Sequence, residues 1–264
     1  MIVRTRRALA IGAALAVAGC IELGGPKTGV VSITNLRLPY PSVVIGDLLR
    51  DSLGVPTPLS ITAFGADGAV LLTEEISFLA LDSTLSVGAD GSVRGLLRDS
   101  LGGRVVASAG GLQTPAQRII VTIAPTLAVK SAASTSIAFD NTKPDSTEKQ
   151  NWSPALELTL TGASAAFAQG YVVNYELIET PAPKDAGIPT AYITDESNRR
   201  MPRDTTDTRG IASRRVVLRQ SAVEDALRSG ARSDTIVVLA TVRYLGVDVP
   251  GSPITFIVPV FRKP

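Results

Sequence analysis

The 264-residue chain has no histidine, one cysteine, one tryptophan and two methionines, and aromatic residues make up only 5% of it. Without histidine, the commonest general base at neutral pH and the commonest protein ligand of transition metals are both missing. A Ser-His-Asp triad is thereby excluded, and no glycine-rich phosphate loop stands between a strand and a helix. One cysteine closes no intramolecular disulfide, so the fold must rest on its hydrophobic core. Carboxylate, lysine, serine and tyrosine chemistry remains, and none of it shows a catalytic motif. No cofactor and no metal site is expected, and the chain reads as non-catalytic. A hydrolase using two carboxylates that face each other across a cleft is the remote alternative.

The first twenty residues carry an address. Arg4, Arg6 and Arg7 precede an apolar run from Ala8 to Val17, the charged start and short apolar stretch of a secretory signal. Ten helical residues rise about 15 Å, roughly half a bilayer's hydrocarbon thickness, so this run is too short to span. Val17, Ala18, Gly19 and Cys20 follow, and this quartet resembles the lipobox of bacterial lipoproteins: an aliphatic residue, two small ones, then cysteine. The resemblance implies cleavage after residue 19 and lipid on Cys20, with residues 20–28 as a tether to a membrane. Ile21, by the same resemblance, points to the outer membrane, on its periplasmic side or at the cell surface. Removing residues 1–19 takes away three arginines, leaving 23 basic against 24 acidic side chains. No overall charge then calls for nucleic acid as a partner.

Beyond the tether, short β-rich runs alternate with turn signals, the pattern of an all-β protein. Strands are expected at Val30–Leu38, Leu59–Phe64, Ile76–Leu81, Leu85–Val87, Arg104–Ala109 and Arg118–Ile123, with turns at Asp67-Gly68 and Asp90-Gly91. Leu59, Ile61 and Ala63 alternate with Ser60 and Thr62, and Ile119, Val121 and Ile123 repeat the pattern except that Ile120 breaks it. Such alternation means one buried and one wet face.

Gly46-Asp47, the run Leu59–Phe64 into Asp67-Gly68, the stretch Ile76–Leu96 with its Val87–Val93 hairpin, and Gly103–Ile123 together resemble a bacterial immunoglobulin-like domain of the invasin and intimin type. The likeness covers most of residues 29–124, with Phe78 where that family usually has tryptophan. Residues 125–264 are expected to form a second sandwich of the same class, with 125–151 supplying a strand and a polar linker. Its signals are Leu156, Leu158 and Leu160 against polar neighbours, the face of Tyr171, Val173, Tyr175 and Leu177, and the late runs Thr235–Tyr244 and Ile254–Phe261. Thr205–Arg219 is similar to a turn and strand of invasin-type repeats. Ser221 and Glu224 fit a capping box for a short helix stopped by Gly230. The fold expected is thus two immunoglobulin-like sandwiches in tandem.

One feature fits no motif: Leu48–Gly54 and Leu96–Gly102 are the same heptad, LLRDSLG, 48 residues apart. A sandwich needs about 100 residues, so this is no duplicated domain. The two copies read as similar strand-and-turn segments without assigned function.

Three groups of side chains are candidate sites. Arg199, Arg200, Arg203, Arg209, Arg214 and Arg215, continued by Arg219, Arg228 and Arg232, form an anion-binding candidate for lipopolysaccharide phosphates or acidic sugars. Seven acids share that window, from Asp195 to Asp234, so a mixed solvated surface is the plainer reading. Asp67, Asp82, Asp90, Asp204 and Asp207 sit near turns, where calcium ligands lie in some exported β-repeats, but no loop is dense enough in acids to supply six oxygens. Trp152, Tyr171, Tyr175 and Tyr192 could stack on a sugar, but aromatics on alternating strands more often serve packing, and with 5% aromatic residues a dedicated platform is not expected. The expected role is a lipid-anchored, non-catalytic envelope or surface module acting as structural, scaffold or adhesion element. Its partners would be the membrane, through the lipid, and a surface glycan or another envelope protein.

Overall fold

The computed structural model describes residues 29–72, 75–131, 135–139 and 150–263. The expected signal peptide, the cleavage motif Val17 to Cys20, the lipidation residue Cys20 and the tether lie outside the described residues. The chain first forms β1 (Ser32–Ile33), β2 (Ser42–Val44), β3 (Ala63–Phe64), β4 (Ile76–Ala80), β5 (Leu85–Val87), β6 (Val93–Gly95), β7 (Asp99–Ala109), β8 (Leu112–Gln113) and β9 (Gln117–Thr122). It continues with β10 (Pro125–Lys130), β11 (Ile137–Phe139), β12 (Gln150–Trp152), β13 (Leu156–Gly162), β14 (Val172–Glu179), β15 (Ala191–Thr194), β16 (Arg203–Thr205) and β17 (Ile211–Arg219). A short helix α1 (Asp225–Ser229) precedes β18 (Asp234–Tyr244), β19 (Val247–Asp248) and β20 (Ile254–Arg262).

In the second half the strand order is immunoglobulin-like. One sheet runs β10-β13-β17 with β15 and β12 also paired to β17; the other runs β11-β20-β18-β14-β16. All pairs are antiparallel except β11 with β20, where the early strand lies parallel to the last. An early strand that splits between both sheets, with the first, second and fifth main strands in one and the third, sixth and seventh in the other, is the two-sheet arrangement of this fold. The first half repeats it: β2-β9-β7-β4 form a sheet with β2 parallel to β9, and the pairs β1-β3 and β5-β6 cover its inner face.

Each half has its own core. Leu59, Ile61, Ala63, Val93, Val105, Ile119 and Val121 are buried in the first, and Leu156, Leu158, Leu160, Val173, Ile236, Val238 and Phe256 in the second. The alternation read at 59–63, 119–121 and 156–160 is therefore the inward face of each strand.

Several local expectations need correction. The run Val30–Leu38 shrinks to β1 and an isolated bridge at Arg37 with Ser60, and the run Leu59–Phe64 keeps only β3 as regular strand. Prolines 39, 41, 56 and 58 flank these segments and supply no ladder donors. Ser221 caps nothing: Gln220–Ala222 is a 3-10 turn, and Glu224 takes the N-cap position of α1 without a side-chain cap. Gly230 does end that helix, at φ 78.

The identical heptads fold differently. In the first copy, Asp51 Oδ1 accepts from the Leu53 and Val55 amides, closing a tight turn between Arg50 and Pro56. In the second, Asp99 Oδ1 makes the same 2.9 Å contact with the Leu101 amide, but inside a bulge of β7 paired to β9. Leu49 is 1% exposed whereas its counterpart Leu97 is 60% exposed. The shared element is the aspartate accepting from the residue two ahead, followed by a glycine at positive φ (Gly54 at 83, Gly102 at 77). Tertiary pairing decides the rest.

Candidate functional site at the junction of the sandwiches

Only Ile123 and Ala124 separate β9 from β10, so the two halves meet directly. A link this short brings side chains from loops of both halves together. Ser42 Oγ donates to the Gly170 carbonyl at 2.8 Å, and the Val172 amide donates to the Tyr40 hydroxyl at 2.8 Å. Tyr171 Oη donates to the Ile123 carbonyl at 2.8 Å, and the Gln169 amide to Thr122 Oγ1 at 3.2 Å. The rings of Tyr40, Tyr171 and Tyr244 form a chain, with centroids 6.4 Å and 6.1 Å apart in tilted and edge-on contacts. Burial raises the pKa of all three phenols, so they stay neutral hydrogen-bonding groups.

Close backbone approach completes the joint. A Cβ on Gly170, at φ +82, would lie 2.8 Å from Ser42 Cβ and 3.2 Å from Ile120 Cβ. Ile120, the residue that breaks the alternation of its strand, thus faces the other sandwich.

Both heptads reach the same joint from different sides. Gly54 and Leu53 press on the Leu245-Gly246 turn: a Cβ on Gly54 would sit 2.4 Å from Leu245 Cα, and one on Gly246 2.5 Å from the Leu53 carbonyl. Leu245 and Gly246 both have positive φ, as a two-residue hairpin turn of the primed kind requires. From the second heptad, Arg98 Nη2 donates to the Phe167 carbonyl and the Ser100 carbonyl accepts from Gln169 Nε2, each at 2.9 Å. Asp47 braces the first heptad through Arg50 at 3.0 Å, and that hydrogen bond holds the Asp47 carboxyl below its ordinary pKa. Of these residues only Tyr171 is among the sequence candidates, as a sugar-stacking aromatic; the rest are not. Their signal was the repeat itself and the misplaced Ile120.

The arginine segment is divided by its contacts. Arg214 is 7% exposed, pairs with Asp204 at 3.0 Å and donates to the carbonyls of Met201, Ser213 and Arg203. It is a structural clasp between β16 and β17. Arg199 pairs with Asp195 at 2.7 Å, Arg209 with Asp207 at 3.1 Å, and Arg232 with Glu224 and Asp234. Arg200 stacks over Tyr192 at 4.4 Å and Arg215 over Trp152 at 5.8 Å. Arg203 differs: among the described residues no carboxylate pairs with it. It lies exposed on β16 beside Asn174.

The aromatic candidates also separate. Tyr171 and Tyr175 are buried, Tyr171 in the junction, so the four do not form one platform. Asp67 and Asp90 accept from the Ala69 and Ser92 amides as turn residues. Asp82 takes Arg104 in a two-point contact that, with the Arg104 amide, lowers its pKa to about 2. Among the described residues no three acids converge as a metal site, and no helix is long and apolar enough to cross a membrane.

No known family of protein sequences matches the chain, and no curated protein does. Solved structures with which it shares some likeness include domains 5-6 of the S-layer protein SbsC, at 12% identity over 89% of this chain and 99% of that one, TM-score 0.27. The Yersinia pseudotuberculosis adhesin InvE aligns at 15% identity over 90% of this chain and 61% of its own, TM-score 0.29. Human protocadherin-24 EC1-2 aligns at 12% identity over 89% and 98%, TM-score 0.27. The strand order and register of the chain are themselves immunoglobulin-like.

Proposed function

We propose that the chain is a lipid-anchored envelope protein whose two sandwiches act as a stiff, non-catalytic spacer, scaffold or adhesive element. The observation that carries this reading is the junction. Tandem domains move relative to one another by default unless their interface is extensive. Here each hydrogen bond across the joint is worth about 1 kcal/mol net, and hinging would have to break several together while exposing the tyrosine chain. A stiff pair holds whatever it carries at a fixed distance from its anchor.

The anchor rests on sequence. One acyl chain binds a membrane only marginally, so stable attachment takes two or more. A lipobox cysteine, by its resemblance to lipoproteins, carries a diacylglyceryl group and often a third chain. The chain's lack of histidine and of any catalytic motif supports a structural role, with another envelope protein or a surface glycan as partner.

Cys20→Ser tests the anchor. It is expected to abolish labelling by radioactive palmitate and to move the protein from the detergent phase to the aqueous phase, or to leave an uncleaved precursor. A serine variant that is cleaved after residue 19 yet stays with the membrane through a high-salt wash would overturn it. The stiffness is read by small-angle scattering of the full chain, where a broad distribution of maximum dimension would sink the spacer reading.

One observation favours a second reading, anion binding within 199–232: the unpaired Arg203.

A further inference from the structure

The geometry points to a binding groove for an acidic saccharide beside the junction, with Arg203 and Arg243 as its charged walls. The groove has a volume of about 320 Å³, and its lining includes Tyr40, Ser52, Asn174, Arg203 and Arg243. Register places these side chains. Asn174 on β14 stands opposite Arg203 on β16 and Thr241 on β18, and Arg243 lies two residues beyond Thr241 on the same face. Val173 and Val242, the alternate residues, are buried in the core. Arg203, Asn174 and Arg243 therefore all project from the outer face of the β18-β14-β16 sheet.

Two strand spacings separate β16 from β18, about 10 Å, with an offset along the strands of about 7 Å. Arginine side chains long enough to cover half that gap bracket a ligand of one or two sugar rings. The first sandwich closes one side with the Tyr40 ring between prolines 39 and 41 and with the Ser52 hydroxyl at the turn of the first heptad.

Charge and chemistry match one ligand class. Among the described residues no acid lines the groove. Among nearby carboxylates, Asp248 accepts from Arg243 Nε at 2.8 Å, and among the described residues that guanidinium's terminal nitrogens have no partner. Glu176 shares the outer face of β14 but stands beyond Asn174, away from Arg243. Two guanidinium groups suit a carboxylate, which they grip in a planar, directional way. Proline and tyrosine rings suit the apolar face of a pyranose, and an amide with a hydroxyl suits its ring hydroxyls. A uronic acid offers all three features.

This inference depends neither on the lipid anchor nor on stiffness. It is tested with the purified full chain and trigalacturonate, by titration calorimetry at two salt concentrations. Binding is expected to be saturable, to weaken as salt rises, and to weaken at least tenfold in the double variant Arg203→Ala, Arg243→Ala. Arg209→Ala, an exposed arginine paired with Asp207, is expected to leave binding unchanged. Equal binding of the fully methyl-esterified trisaccharide, or full competition by inorganic phosphate at the sugar's own concentration, overturns the saccharide assignment. Absence of binding, or binding retained in a double variant that melts at the wild-type temperature, overturns the site.

Discussion

The phenol of Tyr171, which immediately precedes β14 in the second sandwich, hydrogen-bonds the carbonyl of Ile123, the first residue after the last strand of the first sandwich, at 2.8 Å. Tyr171 is 2% exposed, and its ring touches those of Tyr40 and Tyr244. Tyr171→Phe keeps the packing and leaves that carbonyl without its donor. Urea unfolding should show a loss of about 1 kcal/mol, and Tyr171→Ala a loss of about 3 to 5 kcal/mol. Equal stability of the phenylalanine variant and wild type would mean that water replaces the bond and that the joint is wetter than described.

Gly54 and Gly102 end identical heptads but have different neighbours. Alanine at Gly54 would collide with Leu245 of the second sandwich, whereas alanine at Gly102 would lie 3.0 Å from the Ile119 carbonyl of its own. Both substitutions strain a positive φ. Gly54→Ala is expected to broaden the scattering envelope of the full chain, while Gly102→Ala lowers stability with the envelope unchanged. The same change in both variants would contradict separate roles for the two copies.

Residues 29–124 and 125–264 are expected to fold as separate fragments, because each contains its own buried cluster. Tyr40, Val44 and Ile123 of the first fragment also pack against the second core. Each fragment should therefore melt below the intact chain, and mixing the two should raise the melting temperature. Circular dichroism and proton spectra that show either fragment unstructured would place the boundary elsewhere.

Asp82 gives a pH signature. Its side-chain hydrogen bond to Arg104 depresses its carboxyl from 3.8 to about 2 in the folded chain. A depressed acid stabilises the fold above the unfolded value and loses that contribution as pH falls through the folded one. Stability should thus decline between about pH 4 and pH 2, and Asp82→Asn should flatten the decline in that window. Parallel acid titrations of both proteins, followed by fluorescence, check it.

The sequence was most legible where a strand has one wet face. Leu156, Leu158 and Leu160 alternate cleanly because the polar side chains between them face outward. The first sandwich was harder to read, since its early strands are interrupted and satisfied by isolated bridges such as Arg37 to Ser60. The junction was hidden for a different reason. Its acceptors are the carbonyls of Ile123, Ser100, Phe167 and Gly170, and a carbonyl carries no residue identity. The arginine segment was legible as a dense mix of both charge signs, whereas which of its side chains share a face was not: neighbouring strand positions such as Arg214 and Arg215 point to opposite faces.

The parallel pairs β2 with β9 and β11 with β20 have a mechanical consequence. In each sandwich an early strand, the one that follows β1 or β10, lies alongside the last strand and runs the same way. A pull that draws the two ends of a sandwich apart slides these strands past each other, so the crossing hydrogen bonds are loaded side by side and must rupture together instead of one after another. The clamps stand in series along the chain, and the Tyr171 joint lies between them. Tension applied between an anchored end and a held partner would meet two shear-loaded clamps before either core opened.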